Sequence, residues 1–389
     1  MSCFVLRAAT LLDPEAREPQ AGALLVRDGR IEARLGAGEA PPLDAAPIDL
    51  GNSYLAPGFL DLHFHGSMIF SKPQQLHAPL EHDAKFLARH GVTAFLPTTV
   101  AMDALTSHHF VTQFVQTWAQ TDLLGAYPLG LHLEGPWINS LAAGAQPKSA
   151  IRAYDESEGC ELLDRASGCI KMVTLAPEIE GSEHLLCDLK KRNIIAALGH
   201  SWALAESVER GIEQGLRHVT HLFNAMGGVH HRERGAAGVA LADDRLTCDL
   251  ICDGVHVHPD LVRVAARAKR EKLLFISDRI ELPSHAGASF GSGEVQDDGQ
   301  ALRLPDGRLA GSSLTLDRAI RNSVTYGAMT QLEAIAACTL GPARLLGIEG
   351  ERGTLRVGAR ADFAVLDAEG RVRETWIDGR CVFSIHSHP

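Results

Sequence analysis

The chain has 389 residues, 45% hydrophobic and 22% charged, which suits a globular protein with a substantial core in one large domain or two smaller ones. A formal net charge of −11 and a pI near 5.9 argue against a nucleic-acid or membrane-surface role, yet leave room for a small anion in a local basic pocket. Eight cysteines without a CxxC pair fit reduced thiols and a cytoplasmic setting; the opening MSCFVLRAATLLDPEARE does not read as a signal peptide, and no run of 18 apolar residues suggests a membrane span.

Residues 1 to about 57 read as short strands and turns. CFVLRAATLL is followed by GALLVRDGRIEARL, where Asp28-Gly29 between two apolar runs predicts a hairpin. From His63 onward the texture alternates. Helical patterns near 80–90, 103–120, 156–167, 183–192, 203–215 and 260–271 are interleaved with strand-like VTAFLPTTV, AYPLGLHLEG, CIKMVTLAPE, NIIAALGHS, RHVTHLFNAM, TCDLICDGVHV and KLLFISD. Such alternation predicts an α/β fold with parallel strands, and about eight of them suggest a closed (β/α)8, TIM-like barrel. An open doubly wound sheet is the competitor. Against it, no GxGxxG follows the first strand, and the glycine-rich run at 287–293 has the wrong spacing and reads as a mobile loop. The tail, 353–386, returns to short β runs with glycine turns. The expected organisation is a small β-sandwich domain made from 1–57 and 350–389, beside a barrel at 58–349.

In such barrels chemistry gathers at the C-terminal ends of the strands. In APGFLDLHFHG, His63 and His65 lie two apart, so a strand presents both imidazoles on one face. Taken alone, the pair could equally be a strand cap and a core residue. Further along, Glu134 in LHLEG, His200 in ALGHS, His221 in VTHLF and Asp278 in FISD each follow an apolar run and precede a turn or helix. Four imidazoles and two carboxylates suit one or two divalent ions of the zinc or iron type. His132 could support that set or belong to the core, His200 could partner a helix cap, and Asp278 could N-cap whatever follows.

Taken together, PGFLDLHFHG, LHLEGPW, TLAPE, LGHS, THLFNAM, ISD, AGSSLTLD and GTLRVGARADFAVLD resemble the N-acetylglucosamine-6-phosphate deacetylases of the amidohydrolase superfamily. The resemblance implies a metal-dependent enzyme that removes the acetyl group of an amino sugar phosphate. Zinc is the first choice of ion and iron the second. By matching position, Glu134, His200 and His221 would bind one ion, and His63 and His65, with Glu134 bridging, a second. Asp278 falls on the acid/base position, and Asn224, Ala225, Arg232 and His256 fall on positions that recognise the sugar phosphate. A homodimer is implied as well, with Arg232 reaching the neighbouring subunit's site.

Three departures stand out. Gly144-Ala145-Gln146 replaces a Gly-x-His whose imidazole bonds the substrate carbonyl; the Gln146 amide could donate that bond without the positive charge. Arg279-Ile280-Glu281 follows Asp278 where small residues are usual, so Arg279 either pairs with a carboxylate in the wall or reshapes the pocket. Trp202 follows GHS and is expected as packing on the next helix. The alternatives are an amidohydrolase acting on another N-acyl amino sugar or a cyclic amide, and a non-catalytic barrel scaffold.

Overall fold

The structure, a computed structural model, describes residues 3–386 apart from 37, 121, 167, 283–288, 291–292 and 299–300. The glycine-rich run at 287–293, expected as a loop, lies largely outside the described residues.

Both chain ends share one eight-stranded sheet. β1 (Cys3–Leu11), β2 (Gln20–Arg27) and β3 (Arg30–Leu35) are antiparallel, while β4 (Ala46–Asp49) and β5 (Tyr54–Pro57) run parallel to β1. Arg27 pairs with Arg30 across Asp28 and Gly29, whose φ angles of 49° and 78° give the two-residue turn that Asp-Gly favours. The strand Phe363–Leu366 lies antiparallel to β5 and brings Val372–Ile377 and Arg380–Ser384 behind it. Phe4, Leu6, Leu24, Val26, Leu55, Phe363 and Trp376 form the core of this sheet.

Where the sheet meets the barrel, Arg352 and Asp362 form an ion pair with only 6% and 3% of their side chains exposed. The same aspartate accepts the Asp378 N–H at 2.8 Å and, through its backbone carbonyl, the Gly58 N–H at 2.9 Å. Truncating one partner of a buried pair strands the other charge. Arg352→Met is therefore expected to cost about 3–5 kcal/mol of stability. Urea denaturation would measure it, and a loss below about 1 kcal/mol would show that the pair is not what joins the two parts.

β6 (Phe59–Gly66) opens the barrel and is buried along its whole length, as a strand packed on both faces must be. β7 (Val92–Pro97) follows in parallel, then the short β8 (Tyr127–Pro128). A parallel run continues through β9 (Leu131–Glu134), β10 (Ile170–Leu175), β11 (Ile195–Leu198), β12 (Leu216–Val219), β13 (Thr247–Ile251) and β14 (Leu273–Ile276). Two seams close the ring. Thr99 N–H donates to the His132 carbonyl at 3.0 Å beyond β7, and Asp278 N–H donates to the His63 carbonyl at 2.9 Å, joining the last strand to the first. Helices α1 (His77–Ala88), α2 (Ala104–Gln120), α3 (Glu156–Arg165), α4 (Ser182–Lys191), α5 (Ala205–Gln214), α6 (Gly235–Ala242) and α7 (Pro259–Lys269) fall between the strands. α8 (Leu316–Thr325), α9 (Gln331–Cys338) and α10 (Leu340–Leu346) follow the last. All but α6 and the final three were expected from periodicity, within a few residues at each end.

Candidate metal centre

The six strand-end residues converge. β6 delivers His63 and His65, β9 ends on Glu134, and His200, His221 and Asp278 each stand two residues beyond β11, β12 and β14. None is more than 8% exposed. The last three have φ of 48°, 36° and 50°, the left-handed region that non-glycine residues enter only at a cost. Three such residues, just beyond β11, β12 and β14, mark a mouth shaped by tertiary constraint rather than by local preference.

Glu134 sits at the centre. Its Oε1 is 3.1 Å from His200 Nε2 and 3.0 Å from His221 Nε2, and those two nitrogens are 3.2 Å apart. On the other side, His63 Nε2 and His65 Nε2 are 3.3 Å apart and stand 3.4 and 3.3 Å from Asp278 Oδ1. His63 is 3.5 Å from Glu134 Oε1, and His65 is 3.4 Å from Oε2. Ligands about 2.0–2.1 Å from a tetrahedral ion stand about 3.3 Å from one another. Both clusters have that edge length.

Ring orientation gives a second test of fit. His200 Nδ1 lies 2.8 Å from the Ala142 carbonyl and His65 Nδ1 lies 3.2 Å from the Thr98 carbonyl. A carbonyl only accepts, so each Nδ1 carries a proton and each ring turns Nε2 towards the carboxylates, where a neutral ring would offer a cation its lone pair. Lone pairs and carboxylate oxygens this close repel unless protons or a cation lie among them. Burial disfavours charge on His65 and His221, yet Asp278 and Glu134 beside the first and Glu134 beside the second lift them to about 10 and about 9. Burial would raise the Glu134 carboxyl, but His63, His200 and His221 hold it well below the usual range. Such a donor set is that of a divalent-metal centre.

Supporting groups come from positions that strand-end logic does not reach. Glu178 Oε1 accepts from Asn139 Nδ2 and from Trp202 N–H, both at 2.8 Å, while its Oε2 accepts from Ser201 Oγ at 2.7 Å. It thereby ties the His200 turn to the segment after β9. Asp249 accepts the His221 N–H on Oδ1 and lies 2.9 Å from His218 Nε2 through Oδ2. His132 is fully buried, 2.8 Å from Thr174 Oγ1, with its ring centre 4.8 Å from that of His63, so it supports the centre from within the barrel. No helix follows Asp278, which removes the N-cap alternative; the strand Arg279–Ile280 does.

A cavity of about 130 Å³ opens over these groups and is also lined by Gln146, Asn224, Ala225, His256, Leu309 and Gly311. His256 spends Nδ1 on Asp253 at 2.6 Å. Arg232 is not part of this cavity: it is exposed, and its Nη1 lies 2.7 Å from His231 Nε2. Arg279 pairs with Glu281 and lies 4.5 Å over the Phe86 ring, so it belongs to the wall. Trp202, expected to pack on its helix, is instead 51% exposed, because it precedes α5 and only its backbone is anchored. Leu309 was missed. It sits on a hairpin whose Arg308 donates to the Gly144 carbonyl, and nothing in local spacing tells that this hairpin folds over the mouth.

Residues 54–382 match the model of the amidohydrolase family. The chain is 34% identical over 379 residues to N-acetylgalactosamine-6-phosphate deacetylase of Escherichia coli O157:H7, covering 97% of this chain and 98% of that protein. It is 34% identical over 347 residues to N-acetylglucosamine-6-phosphate deacetylase of Bacillus subtilis, covering 87% and 86%. The fold superposes with a TM-score of 0.88 on a Mycobacterium smegmatis N-acetyl-D-glucosamine-6-phosphate deacetylase in complex with N-acetyl-D-glucosamine-6-phosphate, at 28% identity over 99% of this chain and 100% of that one. With its strand-end histidines and carboxylates, its barrel and matches of this length, the chain belongs to the amidohydrolase family, among the N-acetylglucosamine-6-phosphate deacetylases.

Proposed function

We propose that this chain hydrolyses the acetamide of an N-acetylhexosamine 6-phosphate, N-acetylglucosamine 6-phosphate first of all, to acetate and the amino sugar phosphate. The observation that carries this reading is the convergence of His65, His200, His221, Glu134 and Asp278 on one small cavity, with His63 buried beside them, in a chain similar over nearly its whole length to deacetylases of such sugars. The galacto-configured sugar is the second reading, favoured by the Escherichia coli relative.

His63, His65 and Glu134 would hold one cation and Glu134, His200 and His221 another, zinc before iron on the strength of the nitrogen and oxygen donors. When bound, a divalent ion there supplies a water of lowered pKa and polarisation of a carbonyl. The protein supplies the proton traffic. The amine leaves only once its nitrogen is protonated, and Asp278 reaches into the cavity as a carboxylate. Burial would raise its pKa, but His63 and His65 hold it below the usual range, so it is ionised and able to take a proton from water and return it to the amine. Asn224 and His256 present polar groups along the wall for the sugar phosphate.

We infer a homodimer in which Arg232, which is exposed and outside its own chain's cavity, serves the neighbouring site. Arg232→Ala should weaken use of a phosphorylated substrate by about 2 kcal/mol, the scale of a lost charged hydrogen bond, with no effect on the plain sugar. Equal losses on both sugars would remove its phosphate role. No helix among the described residues is long and apolar enough to cross a membrane, and a cytoplasmic site of action fits eight free cysteines. The deciding experiment is acetate release from N-acetylglucosamine and N-acetylgalactosamine, each with and without 6-phosphate, using metal-reconstituted protein. Turnover confined to a phosphorylated hexosamine is expected; no acetate from either phosphorylated sugar would sink the reading.

A further inference from the structure

The turn after β9 ends on Gln146, which is 2% exposed and has both ends of its side chain engaged. Its Oε1 accepts the Ala101 N–H at 2.8 Å, and its Nε2 donates to Glu134 Oε2 at 2.5 Å. The orientation of the amide is forced, since a backbone N–H can only donate and an ionised carboxylate can only accept. Gln146 is thus a strut from the segment after β7 to the end of β9, with one N–H of its amide spent on the candidate ligand Glu134.

Glu134 has a task that its own torsions cannot secure. Oε1 faces His200 and His221 at 3.1 and 3.0 Å and lies 3.5 Å from His63, while Oε2 faces His65 at 3.4 Å. The last torsion of a glutamate is broad, so the carboxylate plane needs an outside bond to keep one oxygen on each side. Gln146 makes that bond on Oε2, the oxygen turned towards His65. An oxygen that accepts an N–H still has a second lone pair for a cation.

We propose that Gln146 is a positioning residue which locks Glu134 as the bridge between two cation subsites, rather than a partner of the substrate carbonyl. The proposal rests on the metal reading above. Without the amide, the carboxylate is free to rotate onto one subsite and leave the other short of charge. Hydrogen-bonded supports of metal ligands are typically worth about 10- to 100-fold in affinity.

The test needs no substrate. Chelator-stripped wild type, Gln146→Leu and Gln146→Met would be titrated with zinc by calorimetry, and bound zinc counted by mass spectrometry after dialysis at fixed free zinc. Circular dichroism would check the fold, and methionine keeps the volume on a flexible chain should leucine fail. The expected result is a 10- to 100-fold loss in affinity for the weaker-held ion in the variants, with the count falling accordingly. Wild-type affinity and count in a folded variant would overturn the proposal. Wild type that takes up no zinc would remove the metal reading itself, a failure the variants cannot mimic.

Discussion

Asp278→Asn is expected to keep the fold and the cation held by Glu134, His200 and His221, and to lower turnover about 10²- to 10⁴-fold, the range of a lost general acid–base group. The backbone of Asp278 is fixed independently of its side chain: its N–H donates to the His63 carbonyl at 2.9 Å, and its carbonyl accepts the Ser312 N–H at 2.7 Å. Asparagine therefore occupies the same place with nearly the same volume. What it cannot do is take a proton and give it back. Near-normal acetate release by the variant, with metal content equal to wild type, would refute the role. A fall in turnover accompanied by a lost ion would instead class Asp278 with the ligands, since its Oδ1 lies 3.4 and 3.3 Å from His63 and His65.

The strand ends were legible because two simple rules meet there. Period-two geometry puts His63 and His65 on one face, and a parallel barrel gathers the C-terminal ends of distant strands at one mouth. Neither rule says which remote carboxylate props a ligand. Glu178 and Asp249 look like ordinary polar residues until Trp202, Ser201 and His221 are seen donating to them. Gln146 was found through its place in a motif, but the direction of its amide is a tertiary fact. Arg232 shows the limit of transfer by position: the residue type is right, and the single chain leaves it outside the cavity. Among helices, α6 escaped because GAAGVALA is apolar on every side and carries two glycines, so no 3.6-residue stripe appears. The start of α9 carries a readable signal, a capping box between Thr330 and Glu333.

Glu134→Gln should have the deepest effect of any single change, because both clusters share that carboxylate. Uptake of both ions is expected to fall and turnover to become undetectable, since the remaining imidazoles offer nitrogen donors but no negative charge. A separate signature should appear in chelator, through stability. His65 and His221 have an ordinary value of 6.5 and are held near 10 and 9 in the folded chain, the latter chiefly by Glu134 against the effect of burial. A raised folded pKa gives stability that is fully present below the unfolded value and is lost as pH rises through the folded one. Glu134 itself is held well below 4.5, and its contribution is present above that value and lost in acid. The stability difference between wild type and Glu134→Gln should therefore be largest from about pH 5 to 6.5 and shrink as pH climbs towards 9 and 10. Urea denaturation across that range checks it. A difference that stays flat, or grows with pH, would mean that Glu134 neither holds the proton of His221 nor shares with Asp278 in holding that of His65, and that the shared carboxylate is not the hinge of this centre.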